Sequence, residues 1–145
     1  RKQIIVVSAL SIIMLHMAGC SMLGRKGGNP VIGTWSAIYT LEDAEVIFGF
    51  KPDMTMTCTV PEAPENSFTA DYSINMSTKP ATIDLVNITS GALPDACLGI
   101  IQFPDSDSME FMGTFGDAGQ VSRPSEFRQY EEIPNIYLYF RKRDN

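Results

Sequence analysis

Met54-Thr55-Met56-Thr57-Cys58-Thr59-Val60 decides the fold. Its apolar side chains alternate with threonines, a period of two that belongs to an extended strand with one face in a core and the other in water. The same alternation recurs on both sides. Upstream, residues 45–50 place Val46, Phe48 and Phe50 together, and Lys51-Pro52-Asp53 supplies the turn between the two runs. Before that, residues 32–40 put Trp35, Ala37 and Tyr39 on one face. Downstream, a loop at residues 61–66 leads to Phe68, Ala70, Tyr72, Ile74 and Met76, which alternate with polar residues. Ser77-Thr78-Lys79-Pro80 turns the chain into residues 82–89, with Ile83 and Leu85 inward. Residues 97–103 and 109–115 read as a hairpin around Pro104-Asp105-Ser106-Asp107, and residues 136–140 as a last strand.

About eight strands at short spacing, with no convincing amphipathic helix, point to a closed antiparallel barrel or a sandwich. The fold expected is all-β, a roughly eight-stranded antiparallel barrel. Residues 116–133 are its least regular part, with a short helical turn expected near Ser125-Glu126-Phe127. The inward set includes Trp35, Tyr39, Phe48, Met54, Met56, Tyr72 and Phe111. Aromatic and methionine side chains of this kind line an apolar pocket or fill it. For a barrel of about 115 residues a mostly filled interior is favoured.

The chain of 145 residues opens with Arg1 and Lys2, followed by an apolar run over residues 4–15. That run is shorter than the roughly 20 residues a membrane-spanning helix requires, and its layout is that of a secretory signal peptide. It ends at Met17-Ala18-Gly19-Cys20, which resembles the lipobox of bacterial lipoproteins, with Met17 where that family usually has Leu. The resemblance implies removal of residues 1–19 and a diacylglyceryl group on Cys20, which then holds the protein to a membrane outside the cytoplasm. Ser21 after the Cys implies the outer membrane in a two-membrane bacterium. Residues 20–30, rich in glycine, read as a flexible tether, and residues 31–145 as the barrel domain.

Composition excludes several function classes. With 11 basic and 17 acidic residues the net charge is −6. Nucleic-acid binding needs a basic stripe that releases counterions, and the cluster Arg141-Lys142-Arg143 reads as a solvated strand end. The single histidine, His16, lies in the leader, so a histidine base, a catalytic triad and His-ligated zinc are all excluded from the domain. Asp105, Asp107 and Glu110 sit in a hairpin connection too short for a calcium loop. Glu42, Asp43, Glu45, Glu62 and Glu65 read as solvated loop charges. No cofactor, metal or enzymatic activity is expected. Cys58 and Cys97 are a candidate disulfide in an oxidising compartment, or small core residues.

Gly33-Thr34-Trp35 resembles the Gly-X-Trp signature at the first strand of lipocalins and other calycins. Taken with Lys79-Pro80, Ile83-Asp84-Leu85, Gly99-Ile100-Ile101 and Arg123-Pro124-Ser125-Glu126-Phe127, the ordered set resembles an uncharacterised lipocalin-like domain family abundant in planctomycetes. This chain departs from it at Ile101, where the family often has Tyr, and at Ser125, where it has Thr. The resemblance implies a barrel closed at one end across Trp35, with Arg123 packed on the indole face. It supplies no catalytic residues. The expected function is that of a lipid-anchored binding protein, with Trp35, Tyr39, Phe48, Met56, Tyr72 and Phe111 around a small apolar ligand. The alternative is a cell-envelope interaction module with a filled barrel. The expected partners are a membrane, through Cys20, and an apolar molecule or an envelope protein.

Overall fold

A computed structural model describes residues 28–129 and 134–144. The candidate leader, residues 1–19, and Cys20 lie outside the described residues. Eight antiparallel strands close into one barrel: β1 (Gly33–Tyr39), β2 (Ala44–Phe50), β3 (Thr55–Thr59), β4 (Phe68–Asn75), β5 (Ala81–Thr89), β6 (Ala96–Asp105), β7 (Ser108–Gly116) and β8 (Asn135–Lys142). Every strand pairs with its sequence neighbour, and β8 returns to β1. A single turn of 3-10 helix, Pro64–Asn66, is the helical element among the described residues.

The alternation becomes the inside and outside of this barrel. In the register Trp35↔Phe48↔Cys58↔Phe68 the facing residues are all buried and inward. The same holds for Tyr72↔Leu85↔Cys97↔Phe115. Met54 departs from its expected inward position. Its φ of 68° takes it out of the strand into the β2–β3 turn, and its side chain is 42 % exposed. The cause is local: Asp53 Oδ1 accepts hydrogen bonds from the Thr55 N–H and hydroxyl, and Met54 N–H donates to Lys51 O, so the turn closes around residue 54.

Because all strands alternate in direction, the β1–β2, β3–β4, β5–β6 and β7–β8 connections share one end of the barrel. The β2–β3, β4–β5 and β6–β7 turns share the other, where β1 begins and β8 finishes. The β1–β8 seam is short, pairing Trp35↔Lys142 and Ser36↔Arg141.

Residues 117–129, which follow β7, form a strap on the outer wall. Ile100 and Met112 point outward by register yet are 2 % and 3 % exposed. The strap lies over this part of the wall. Ala118 N–H donates to Asp95 Oδ1, and Arg128 N–H donates to the Met112 sulfur. Gly116 is needed where the strap turns back, since a Cβ there would stand 2.9 Å from Val121 Cβ. No helical turn forms at Ser125-Glu126-Phe127, which is an open bend between Arg123 and Arg128, the two residues whose hydrogen bonds reach the wall.

Candidate functional site

The barrel interior is divided into a filled half and an open half. At the end where β1 begins, Trp35 is fully buried, its Nε1–H donates to Val31 O at 2.7 Å, and its ring lies 6.0 Å from that of Phe103. Met56, Met109, Ile101 and Phe140 fill the space beside it. Tyr72 belongs to the same half: its ring meets Phe50 edge-on at 5.0 Å, and its hydroxyl donates to Lys51 O at 2.7 Å. Burial of that hydroxyl pushes the Tyr72 pKa up.

Phe48 forms the partition. Its ring stands 4.7 Å from Phe140, 5.5 Å from Phe111 and 5.9 Å from Phe50, so the aromatic packing of the filled half ends on it. Beyond it lies a cavity of about 140 Å³. Val46, Cys58, Phe68, Phe115 and Leu138 form its apolar walls, and Tyr39, Glu42, Ala44, Val60, Asn66, Leu93 and Ile136 surround its outer part. The lining runs from the buried Phe48 and Phe111 to the exposed Glu42, so the cavity communicates with solvent at the end carrying the β1–β2 loop.

Two glycines hold the wall thin where β6 and β7 pair. Gly99 faces Gly113, and a Cβ on Gly113 would meet Cys97 Sγ at 2.6 Å and Phe111 Cζ at 2.7 Å. Their absence of side chains lets Phe111 and Cys97 pack flat against that wall.

The residues expected around a ligand are thus split. Tyr39, Phe48 and Phe111 border the cavity. Trp35, Met56 and Tyr72 lie in the filled half, where they close the barrel end. Not expected at the site were wall residues that the alternation already turned inward, Val46, Cys58, Val60, Phe68 and Leu138 among them, and the loop residues Glu42, Asn66 and Leu93. The signal for the loop residues was topological, since alternate loops of an up-and-down barrel meet at one mouth.

One open alternative is decided and one expectation is corrected. Of the two readings of Cys58 and Cys97, the structure has the small core residues: both are free and buried, with no disulfide between them. They stand on β3 and β6 as small wall residues. Burial pushes the Cys58 thiol up to about 12 and raises Cys97 as well, so neither is a nucleophile near neutral pH. Arg123 does not cover Trp35. Lys142 does, its Nζ 5.3 Å from the ring centroid. Arg123 instead anchors the strap: Nη1 donates to Gly99 O at 2.6 Å and to Ile83 O at 3.1 Å, and Nη2 pairs with Asp84. The register explains the difference. Lys142 is paired with Trp35 across the seam, whereas the strap is held on the β5–β6 wall.

Asp105 belongs to the β6–β7 turn, where it accepts from the Asp107 N–H and the Ser108 hydroxyl. Among the described residues no group of three or more His, Cys, Asp or Glu side chains comes together to hold a metal ion. Nor, among them, is any helix long and apolar enough to cross a membrane. Compared with protein-family models, curated proteins and solved structures, the chain matches none.

Proposed function

We propose that this chain is a lipid-anchored, extracytoplasmic binding protein of lipocalin-like type, akin to the planctomycete-type domain family, which holds a small apolar group in the open half of its barrel. The observation that carries the binding reading is the solvent-connected cavity beyond Phe48, walled by Val46, Phe111, Phe115 and Leu138. Anchoring rests on the sequence Met17-Ala18-Gly19-Cys20 behind an apolar leader.

Size restricts the ligand. A cavity near 140 Å³ compares with the engineered cavity of about 150 Å³ that takes benzene, and is well below the roughly 300 Å³ at which pockets for drug-sized ligands begin. A single ring or a chain of about six carbons fits; a long acyl chain or a sterol does not. At about 0.8 kcal/mol per buried methylene, six carbons contribute about 5 kcal/mol, a Kd on the order of 0.2 mM.

Calorimetric titration with 1-hexanol tests the reading. Saturable one-to-one binding is expected, lost in Ala44→Leu, whose longer side chain enters the outer cavity; failure of the wild-type barrel to bind refutes it. The anchor is tested separately by mass spectrometry of the membrane-derived chain. An acylated N-terminal Cys20 is expected, and an unmodified Cys20 refutes the anchor without touching the cavity.

A further inference from the structure

The two ends of the barrel differ in charge. The β1–β2, β3–β4 and β5–β6 loops gather at the mouth and carry Glu42, Asp43, Glu62, Glu65 and Asp95, all exposed, with no Lys or Arg among residues 40–43, 60–67 and 90–95. Asp117, also exposed, opens the strap at the same end. The arginines of the described strap are turned to other work: Arg123 is bound on the β5–β6 wall, and Arg128 pairs with Glu126. At the opposite, filled end Lys51, Lys79, Arg141, Lys142 and Arg143 stand beside Asp53, Asp105, Asp107 and Asp144, so the signs there nearly balance. The cavity is thus apolar inside and negative at its rim, and Glu42 is the ionisable carboxylate that lines it directly.

We infer that the ligand is a small organic cation, an ammonium group resting at the Glu42 rim with an apolar tail of about six carbons in the cavity beyond it. The inference deepens the binding function proposed above and rests on it. An apolar tail alone would be served by any dry cavity. A carboxylate head, as in a fatty acid, would be left at a rim of like charge without a cationic partner, whereas an ammonium gains from every carboxylate there. The field at the rim also draws cations toward the mouth, an effect that weakens as salt shortens the screening length.

The experiment compares three probes with one tail, hexylammonium, 1-hexanol and hexanoate, by calorimetric titration of the purified full chain at about 20 mM and about 500 mM salt. The expected order is hexylammonium, then hexanol, then hexanoate, with about a tenfold or larger preference for the ammonium over the carboxylate at low salt. High salt narrows that gap severalfold. Glu42→Gln, at an exposed loop position, lowers hexylammonium affinity about threefold, and methylammonium, which lacks the tail, fails to compete. Binding of hexanol with equal or better binding of hexanoate overturns the charge inference and leaves the cavity reading standing. A preference for the ammonium that responds neither to salt nor to Glu42→Gln overturns it too. Absence of binding by all three probes overturns the cavity reading and this inference together.

Discussion

Replacing Arg123 by Ala removes the latch of the outer strap, and the cost follows from its contacts. The guanidinium donates to two main-chain carbonyls, at 2.6 Å to Gly99 and 3.1 Å to Ile83, and pairs with Asp84. Hydrogen bonds from a charged donor are each worth about 1.5 to 3 kcal/mol, but here two share one nitrogen, and the Arg123 side chain is 28 % exposed, so about 2 kcal/mol is assigned to both. The half-exposed ion pair adds about 0.5 kcal/mol. Freeing the arginine side chain on truncation offsets this by about 0.5 to 1 kcal/mol. The net loss is about 2 kcal/mol. In urea, with m near 2 kcal/mol per molar, the midpoint falls by about 1 M with m unchanged. Lys at this position recovers little, because one ammonium does not reproduce the planar fork. Hydrogen exchange localises the effect: amides around Leu98, Ile100 and Met112, on the wall beneath the strap, exchange faster than those beside Trp35. The Trp35 emission stays as it is in Arg123→Ala and changes in Lys142→Ala, whose ammonium covers the indole. A midpoint within about 0.2 M of the parent protein, with unaltered exchange on that wall, refutes the latch.

Three further perturbations have defined outcomes. Trp35→Phe leaves Val31 O without the buried indole donor and shrinks a fully buried side chain, for an expected loss of about 2 to 4 kcal/mol in chemical denaturation. Asp105 is held below its ordinary value of 3.8, chiefly by the Asp107 N–H and then by the Ser108 hydroxyl. A depressed carboxylate stabilises the fold above its unfolded pKa and ceases to as pH falls through the folded value, so Asp105→Asn flattens the loss of stability below about pH 4 in urea midpoints taken from about pH 5 to 2. Cys58, raised to about 12 by burial, and Cys97 resist iodoacetamide at about pH 8 in the folded protein. Mass spectrometry is expected to find both alkylated after denaturation without reductant, which a Cys58–Cys97 disulfide would prevent.

The sequence carried the barrel because each strand is governed by a local rule. The alternation in residues 55–60 and 68–74 puts one set of side chains inward whatever the neighbours are, so the strands fall within a residue or two of where the pattern places them. Met54 broke the rule because the hydrogen bonds of Asp53 impose a positive φ there, and a period-two pattern holds no information about φ. Arg123 was misread for a different reason. Its partners are carbonyls 24 and 40 residues away, and main-chain acceptors leave no mark in a sequence. The cavity was half legible: Tyr39, Phe48 and Phe111 were inward by pattern, but the division at Phe48 depends on how far neighbouring strands are staggered. Glu42 looked like any solvated loop charge until the strand order brought its loop to the mouth.

The short seam between β1 and β8 makes the barrel mechanically anisotropic. β1 begins and β8 finishes at the same end, as antiparallel neighbours joined at Trp35↔Lys142 and Ser36↔Arg141, with Arg143 N–H also donating to Thr34 O. A pull that separates these two ends loads those bonds one after another, like a zip, rather than all at once in shear. Each contributes only about 1 kcal/mol, so the barrel yields along one line while the longer ladders, such as the seven-residue register of β7 with β8, are still intact. A pull on these two ends is expected to open the seam first, and the surface bared there is the packing of Trp35.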